Sequence, residues 1–120
     1  MNQPTSALKT SQESINGVTI VMPEGRLDFG AASEFQAVLE AALGSTPKPR
    51  GLIVDCSGLA YVSSAGLRSF LVGARSAKSA GAVFLVCSLS PSVREVFTVS
   101  GFSRLIEDFP DRTAALAKVG

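Results

Sequence analysis

The stretch that decides the fold runs from Leu52 to Leu67 and reads Leu-Ile-Val-Asp-Cys-Ser-Gly-Leu-Ala-Tyr-Val-Ser-Ser-Ala-Gly-Leu. It opens with a short apolar run, Leu52 to Cys56, that is typical of a strand buried on both faces of a parallel sheet. The residues after this run predict a loop, and the pair Ser63-Ser64 stands where an apolar-striped helix begins. A buried strand followed by a helix is the repeating unit of an α/β sheet, so the stretch predicts that fold class.

The same alternation of strands and helices continues on both sides of this stretch. Hydrophobic patterns predict strands over 8–14, 18–22, 52–56, 82–86 and 104–106, and helices over 31–43, 64–79, from Ser90-Pro91 and from Pro110-Asp111. The dipeptide Asn16-Gly17 predicts a hairpin between the first two strands, because both residues tolerate positive φ. Strands that alternate with helices form right-handed parallel crossovers. We therefore expect an α/β fold with a mixed, mostly parallel sheet, an N-terminal hairpin and about four helices.

Length and composition point to one globular domain. The chain has 120 residues, 46% of them apolar, which suffices for a hydrophobic core and rules out a disordered chain. We expect residues 8–120 to form a single domain after a flexible N-terminus at 1–7. The net charge is +1 and no basic stripe is visible in the sequence, so no nucleic-acid partner is predicted.

The residue inventory excludes several kinds of chemistry. The chain has no His, so a His-containing zinc site, a His-based triad and a His general base are excluded. Cys56 ends one predicted buried strand and Cys87 follows another, and both are predicted to be buried, reduced thiols. We predict no metal site and no cofactor. The chain shows no apolar signal segment and no apolar run long enough to cross a membrane, so we expect a cytoplasmic protein without membrane insertion.

The pair Ser63-Ser64, at the predicted start of the second helix, is the place where chemistry could sit. A helix N-terminus leaves up to four backbone N–H groups unpaired and carries partial positive charge. A hydroxyl there can cap the helix, which contributes about 1 kcal/mol, or it can carry a phosphate that those N–H groups stabilise. No predicted base would activate either serine as a nucleophile, so we do not expect an enzyme or a catalytic residue.

Residues Cys56 to Leu67 resemble the signature of STAS domains, in particular that of bacterial anti-sigma factor antagonists. The family's motif runs roughly Asp-Leu-Ser-Gly-Val-x-Phe-[Met/Ile]-Asp-Ser-Ser-Gly-Leu. Further blocks that resemble the family follow in the same order and spacing at Gly25 to Asp28, Val86 to Val93 and Phe97 to Phe102. The resemblance covers about residues 8 to 118 and implies the STAS-like form of the α/β fold.

The resemblance implies a phosphorylation site. In the family the phosphorylated serine immediately follows the Asp of the motif, and aligned on Gly66-Leu67 this position is Ser64. The implied kinase is an anti-sigma factor of the histidine-kinase-like ATPase type. Its capture by the unphosphorylated antagonist would free a sigma factor, and a serine phosphatase would reset the cycle. Two departures matter: the motif's Asp is Ser63 here, which leaves Ser63 as a rival acceptor, and its second Ser is Ala65.

The resemblance also implies a partner-binding surface around this site. The surface is expected to contain Asp28, Phe29, Ser63, Ser64, Gly66, Leu67 and Arg68. Three of these residues have ordinary structural explanations that stay open. Asp28 can close the turn after a buried strand, Leu67 can belong to the core, and Arg68 can be a solvated charge.

A different function for the same domain is open at this point. The chain could be a STAS scaffold that is not phosphorylated, or the accessory subunit of a lipid transporter. Its gene neighbourhood would distinguish these alternatives. Kinase and phosphatase genes favour the antagonist, and transporter genes favour the accessory subunit.

Overall fold

In the computed structural model, residues 8–120 are described and form an α/β domain built on one sheet. Within that range the regular elements are β1 (Leu8–Ile15), β2 (Val18–Leu27), α1 (Ala32–Leu43), β3 (Gly51–Asp55), β4 (Gly58–Val62), α2 (Ser64–Ser79), β5 (Val83–Cys87), α3 (Pro91–Val99), β6 (Glu107–Phe109) and α4 (Arg112–Val119). Short 3-10 turns lie at Phe29–Ala31 and Phe102–Arg104. The predicted fold class is confirmed, whereas the flexible N-terminus predicted at 1–7 lies outside the described residues.

The sheet is organised around the long strand β2. Its strands follow the order β1-β2-β3-β5-β6, and β4 pairs with the second half of β2, beyond the part that pairs with β3. Among the described strands, β1 runs antiparallel to β2 and the other pairings are parallel. The hairpin turns at Asn16 and Gly17, whose φ angles of 50° and 81° fit a tight turn between twisted strands. The predicted N-terminal hairpin is therefore confirmed.

Strand β4 corrects a prediction, because residues 58–62 were expected to form a loop. Its two buried side chains, Leu59 and Val62, are three residues apart and so hide the period of two by which strands are recognised. The register with β2 skips Ala60, which makes β4 a bulged strand. Its partner β2 is correspondingly longer than predicted and ends at Leu27.

The last strand is also displaced from its predicted position. A strand was expected around 104–106, but the chain forms the turn Phe102–Arg104 there and pairs with β5 only at Glu107–Phe109. Ile106 is buried in the core while Leu105 is exposed, so these two apolar residues belong to the approach to the strand. The apolar residues at 105–106 therefore indicated where the chain contacts the core, and not where its backbone pairs with β5.

Helices cover both faces of the sheet. α1, α2 and α3 pack on one face, where the rings of Phe35, Phe70 and Phe97 follow one another at centroid distances of 5.3 Å. α4 packs on the other face, against β3, β5 and β6. Cys56 belongs to the core of the first face and Cys87 to that of the second, and both are buried free thiols as predicted.

Two glycines let α2 lie close to its neighbours. A Cβ at Gly66 would come within 2.7 Å of Leu27 Cγ and 2.8 Å of the Leu27 carbonyl oxygen. A Cβ at Gly73 would come within 2.6 Å of Leu39 Cδ1 in α1. Glycine lowers intrinsic helix stability, so its presence twice in α2 reflects this close packing. The first contact holds the start of α2 directly against the end of β2.

A buried carboxylate ties α4 to the sheet. Asp55, at the end of β3, is 6% exposed, and its Oδ2 accepts hydrogen bonds from Nε and Nη2 of Arg112 at 3.2 and 3.1 Å. The backbone N–H of Ser57 donates to the other carboxylate oxygen at 3.1 Å. Arg112 also pairs with Glu13 of β1 at 3.2 Å, so one guanidinium links α4 to two strands.

Candidate functional site

The ends of β2 and β4 bring the predicted site residues together. β2 ends at Leu27 and β4 at Val62, and these residues are paired neighbours in the parallel ladder. The backbone N–H of Ser63 donates to the carbonyl oxygen of Leu27 at 2.9 Å, which fixes the two chain exits side by side. Asp28 and the Ser63-Ser64 pair therefore lie at the carboxyl end of the sheet, where the functional loops of α/β proteins gather.

Asp28 caps the short turn that follows β2. Its Oδ1 accepts a hydrogen bond from the backbone N–H of Ala31 at 3.0 Å, and its backbone is extended, as expected at an N-cap. The carboxylate is only partly buried. The structural explanation of Asp28 therefore holds, and the cap orients the turn that carries Phe29.

Phe29 extends from this turn into solvent. Its side chain is 83% exposed, although it is one of the largest apolar side chains in the protein. A single exposed apolar side chain is common at protein surfaces, but Phe29 lines the same depression as Ser64, so a partner that fills this depression would also cover Phe29. The position agrees with the predicted role of Phe29 as a contact residue, which stays a prediction.

The two serines at the start of α2 have different surroundings. Ser63 is the N-cap, since its hydroxyl oxygen accepts a hydrogen bond from the backbone N–H of Gly66 at 3.1 Å. Ser64 is the first residue of the helix and is exposed. Across residues 8–120, no hydrogen bond engages the Ser64 hydroxyl. One serine therefore stabilises the helix, and the other presents a free hydroxyl to solvent.

Ser64 lies where three surface depressions meet. The largest, with a volume of about 660 Å³, lies between the turn after β2, α1 and α2. Its lining includes Phe29, Gln36, Ser64 and Arg68. The other two, of about 360 and 310 Å³, lie between α2 and α3 and also include Ser64. A partner that fills any of them would lie against Ser64.

The two depressions between α2 and α3 adjoin each other, and together we call them the α2–α3 groove. Its apolar lining consists of Leu67, Leu71, Val96, Val99 and Phe102. Val99 is 80% exposed, and no residue of the described chain covers it. The sequence analysis did not identify the groove, because its two walls are about thirty residues apart in the chain.

The remaining predicted contact residues differ in how much they expose. Arg68 is exposed and lines depressions on both sides of α2. Leu67 is 5% exposed and belongs to the core, although it also forms part of the groove floor. Gly66 is buried against Leu27. Close packing against Leu27 explains why residue 66 is a glycine. Its burial gives no support to its predicted role as a partner contact.

The outer face of α2 is basic, which corrects the expectation that the chain has no basic stripe. Arg68, Arg75 and Lys78 are exposed, and α2 contains no Asp or Glu. In the described residues, none of the three takes part in an ion pair. The stripe escaped composition analysis because ten acidic residues elsewhere nearly balance the eleven basic ones.

The thiols are not part of this site. Burial, followed by the negative charge of Cys87 and Asp55, raises the pKa of the Cys56 thiol well above its ordinary value. Burial also raises the pKa of Cys87, against a hydrogen bond from Ser88 that lowers it. A thiol that stays protonated is a poor nucleophile and a poor metal ligand. The described residues contain no cluster of three or more metal-ligating side chains, and no helix among them has the length and apolar character to span a bilayer.

Comparison with known proteins gives the class to which this fold and site belong. The sequence profile of the STAS domain matches residues 9–115. The chain therefore belongs to the STAS domain family. Its predicted family membership is thus confirmed over nearly the whole chain.

Within the STAS family, the relatives of this chain include anti-sigma factor antagonists. The chain is 33% identical over 110 residues to the "Putative anti-sigma factor antagonist BtrV" of Bordetella bronchiseptica, an alignment that covers 92% of this chain and 93% of the relative. An anti-sigma factor antagonist from Mycobacterium paratuberculosis has a crystal structure similar to this one, with a TM-score of 0.84, 23% identity and coverage of 99% and 98% of the two chains. The antagonist SpoIIAA in its unphosphorylated form gives a TM-score of 0.77 at 21% identity, with coverage of 92% and 94%. The two structural likenesses show the fold, and the sequence relative connects the chain to the antagonists.

Proposed function

We propose that this protein is a non-catalytic anti-sigma factor antagonist whose binding to its partner is switched off by phosphorylation of Ser64. The partner is an anti-sigma factor of the histidine-kinase-like ATPase type that also acts as the serine kinase, and a serine phosphatase reverses the modification. The observation that carries the proposal is the free, exposed hydroxyl of Ser64 at the meeting point of three depressions. The sequence relationship to an antagonist supports the same function.

The surroundings of the two serines favour Ser64 over Ser63 as the acceptor. The Ser63 hydroxyl is partly buried and holds the N–H of Gly66, so transfer of a phosphate to it would first break the helix cap. The Ser64 hydroxyl is exposed and has no such bond to lose. The unpaired N–H groups of the first helical turn and the helix dipole stabilise negative charge at this position.

A phosphate on Ser64 would change the charge of a surface that is otherwise basic. It adds about −1.5 to −2 charges beside Arg68, which is one turn further along α2. A hundredfold loss of affinity corresponds to about 2.7 kcal/mol. Repulsion and desolvation of a doubly charged group within an interface supply an energy of that order. The modification can therefore act as a switch without any change in the fold.

The test is to incubate the protein with the ATPase-type anti-sigma factor of its own organism and Mg-ATP, and then to locate the phosphate by mass spectrometry. We expect phosphate on Ser64 in the wild type and in Ser63→Ala, and none in Ser64→Ala. Ser64→Ala should bind the anti-sigma factor before and after ATP treatment, whereas phosphorylated wild type should bind about a hundredfold more weakly. Phosphate on Ser63 alone, on neither serine, or without effect on binding contradicts the proposal.

A further inference from the structure

We infer that the α2–α3 groove binds an acidic, amphipathic helical segment of a partner protein. The inference rests on the proposed function only in taking this face as a docking surface, and it specifies the chemistry of what docks. The apolar lining of the groove would hold the apolar face of the segment. The basic face of α2 would pair with its carboxylates.

The floor of the groove is suited to aliphatic side chains. Leu67 and Leu71 from α2 and Val96 and Val99 from α3 line it, together with Phe102 from the turn after α3. Both depressions are open to solvent, so the groove fits a row of side chains and not an enclosed small molecule. A helix that presents apolar residues at three- and four-residue spacing matches this shape.

The charge of α2 beside the groove selects the partner. Arg68 lines the groove, and Arg75 and Lys78 lie further along the same helix. On α2, the residues Ser64, Arg68, Leu71, Arg75 and Lys78 recur at alternating spacings of four and three, and therefore share one face of the helix. Three of these five are cations that the described part of the chain leaves without an ion-pair partner. The groove lining contains one carboxylate, Glu95 on α3. Charge complementarity thus favours an acidic segment that lies closer to α2 than to α3.

Two other occupants fit less well. A second copy of this chain would bring two basic α2 faces together, and like charges across an interface are unfavourable. A nucleic acid would gain from the cations, but single strands are held by stacking on exposed aromatic rings. The aromatic residue of the groove lining, Phe102, is half-buried and packs edge-on against Phe97, and the carboxylate of Glu95 would repel phosphates. The combination of an aliphatic floor and a basic α2 face is best matched by a protein segment that is both apolar and acidic.

The position of Ser64 connects the groove to regulation. Ser64 lines both depressions of the groove and lies on the same face of α2 as the basic residues, at the N-terminal end of the helix. A phosphate there would place negative charge where the carboxylates of the segment would lie. The segment should therefore dissociate when Ser64 is phosphorylated, even though it contacts mainly residues further along α2.

The experiment uses designed helical peptides of about 16 residues as probes. One peptide carries Leu at three- and four-residue spacing on its apolar face and Glu on its polar face. The matched control carries Lys in place of each Glu. Binding to the ¹⁵N-labelled full-length protein is followed by NMR chemical shifts and fluorescence anisotropy. We expect the acidic peptide to shift the amides of Leu71 and Val99 and to bind about tenfold more tightly than the basic one, or better.

Charge variants of the protein provide the second arm. R68E/R75E should weaken binding of the acidic peptide about tenfold or more and strengthen that of the basic peptide. K9E/K118E makes the same change in net charge on β1 and α4, away from the groove, and should leave binding nearly unchanged. If R68E/R75E fails to give a native NMR spectrum, R68Q/R75Q replaces it, with the same direction of effect.

Several outcomes would overturn the inference. The first two are equal affinity for the acidic and basic peptides, and chemical shift changes confined to residues outside the groove. The other two are equal effects of the two double variants on peptide binding, and a single-stranded oligonucleotide of about 20 nucleotides that binds more tightly than the acidic peptide. The assay needs no kinase, so its result is separate from the phosphorylation test. A groove that binds the acidic peptide while Ser64 is never phosphorylated would remove only the switch, and a normal switch without peptide binding would remove only the groove.

Discussion

The hydroxyl oxygen of Ser63 accepts a hydrogen bond from the backbone N–H of Gly66 at 3.1 Å. This bond gives the two adjacent serines separate tasks, since Ser63 begins the helix and Ser64 remains available to a partner. The STAS motif of the antagonists has Asp at the position of Ser63. Asp is also a good N-cap, so the replacement conserves the cap and removes a negative charge from beside the candidate phosphorylation site.

The cap predicts a difference in stability between two neighbouring serine variants. Ser63→Ala should lower the free energy of unfolding by about 1 kcal/mol, because the Gly66 N–H loses its acceptor. Ser64→Ala should change it by less than about 0.5 kcal/mol, because its hydroxyl holds nothing. Ser63→Asp should retain the stability of the wild type. Urea unfolding followed by circular dichroism measures all three, and equal losses for the two alanine variants would show that Ser63 is not the cap.

Sequence patterns were sufficient for the helices and insufficient for β4. The predicted limits of α2, 64–79, match the structure, because a long apolar stripe with period 3.6 leaves little ambiguity. β4 has only two inward side chains, and the bulge at Ala60 separates Leu59 from Val62 by three residues. A pattern of that kind resembles a turn of helix or a loop, and only pairing with β2 makes it a strand.

The candidate site was predictable in its location but not in its details. The resemblance to the family motif assigned Asp28 and the serine pair to one surface, and the structure has them together at one end of the sheet. Either serine could cap the helix on sequence grounds, and the choice depends on local backbone geometry. The α2–α3 groove depends on how Leu67 and Val99, which are distant in the chain, are packed in space. Such a surface is a property of tertiary packing and leaves no local signal.

The contact between Gly66 and Leu27 predicts that a helix-favouring substitution destabilises this protein. Gly66→Ala gains up to about 1 kcal/mol of helix propensity. Its Cβ would lie 2.7 Å from Leu27 Cγ and 2.8 Å from the Leu27 carbonyl oxygen, and overpacking of this kind costs about 1–3 kcal/mol. We therefore expect Gly66→Ala to lower the free energy of unfolding, as measured by thermal and urea unfolding. Gly44→Ala is the control, because its Cβ would meet no atom closer than 3.7 Å; a Gly66→Ala protein that is as stable as this control would contradict the packing argument.

The ion pair between Asp55 and Arg112 should matter more than a surface pair. Arg112→Met leaves the buried carboxylate of Asp55 without its cation. We expect the free energy of unfolding to fall by about 3 kcal/mol, which is the low end of the range for buried pairs because Arg112 is partly exposed. Arg94→Met removes an exposed pair with Asp108 and should cost less than about 1 kcal/mol. The double variant Arg112→Met/Asp55→Asn should recover part of the loss. Equal unfolding midpoints for Arg112→Met and Arg94→Met would exclude a special role for the buried pair.

Burial of Cys56 predicts a loss of stability in alkaline solution. An unfolded thiol has a pKa of about 8.5, whereas burial raises the pKa of Cys56 in the folded protein. As the pH rises above the unfolded value, the unfolded state ionises first, and the stability that this group contributes is lost with increasing pH. The free energy of unfolding should therefore fall more between about pH 7.5 and 10 in the wild type than in Cys56→Ala. The comparison concerns the change with pH, so the packing cost of Cys56→Ala cancels, and parallel pH profiles would show that the thiol does not contribute.

The exposure of Phe29 predicts a residue that serves binding and not folding. Since 83% of its side chain is in solvent, Phe29→Ala should change the free energy of unfolding by less than about 0.5 kcal/mol. Exposed aromatic residues at the centre of an interface often contribute more than about 1 kcal/mol, so affinity for the anti-sigma factor should fall about tenfold or more. Leu105→Ala is the matched control, because Leu105 is an exposed apolar residue that lines none of the three depressions around Ser64. Isothermal titration calorimetry with the purified partner compares the two variants. Equal affinity for both would mean that the partner does not cover the turn that Asp28 orients, and would restrict the docking surface to the α2–α3 side of Ser64.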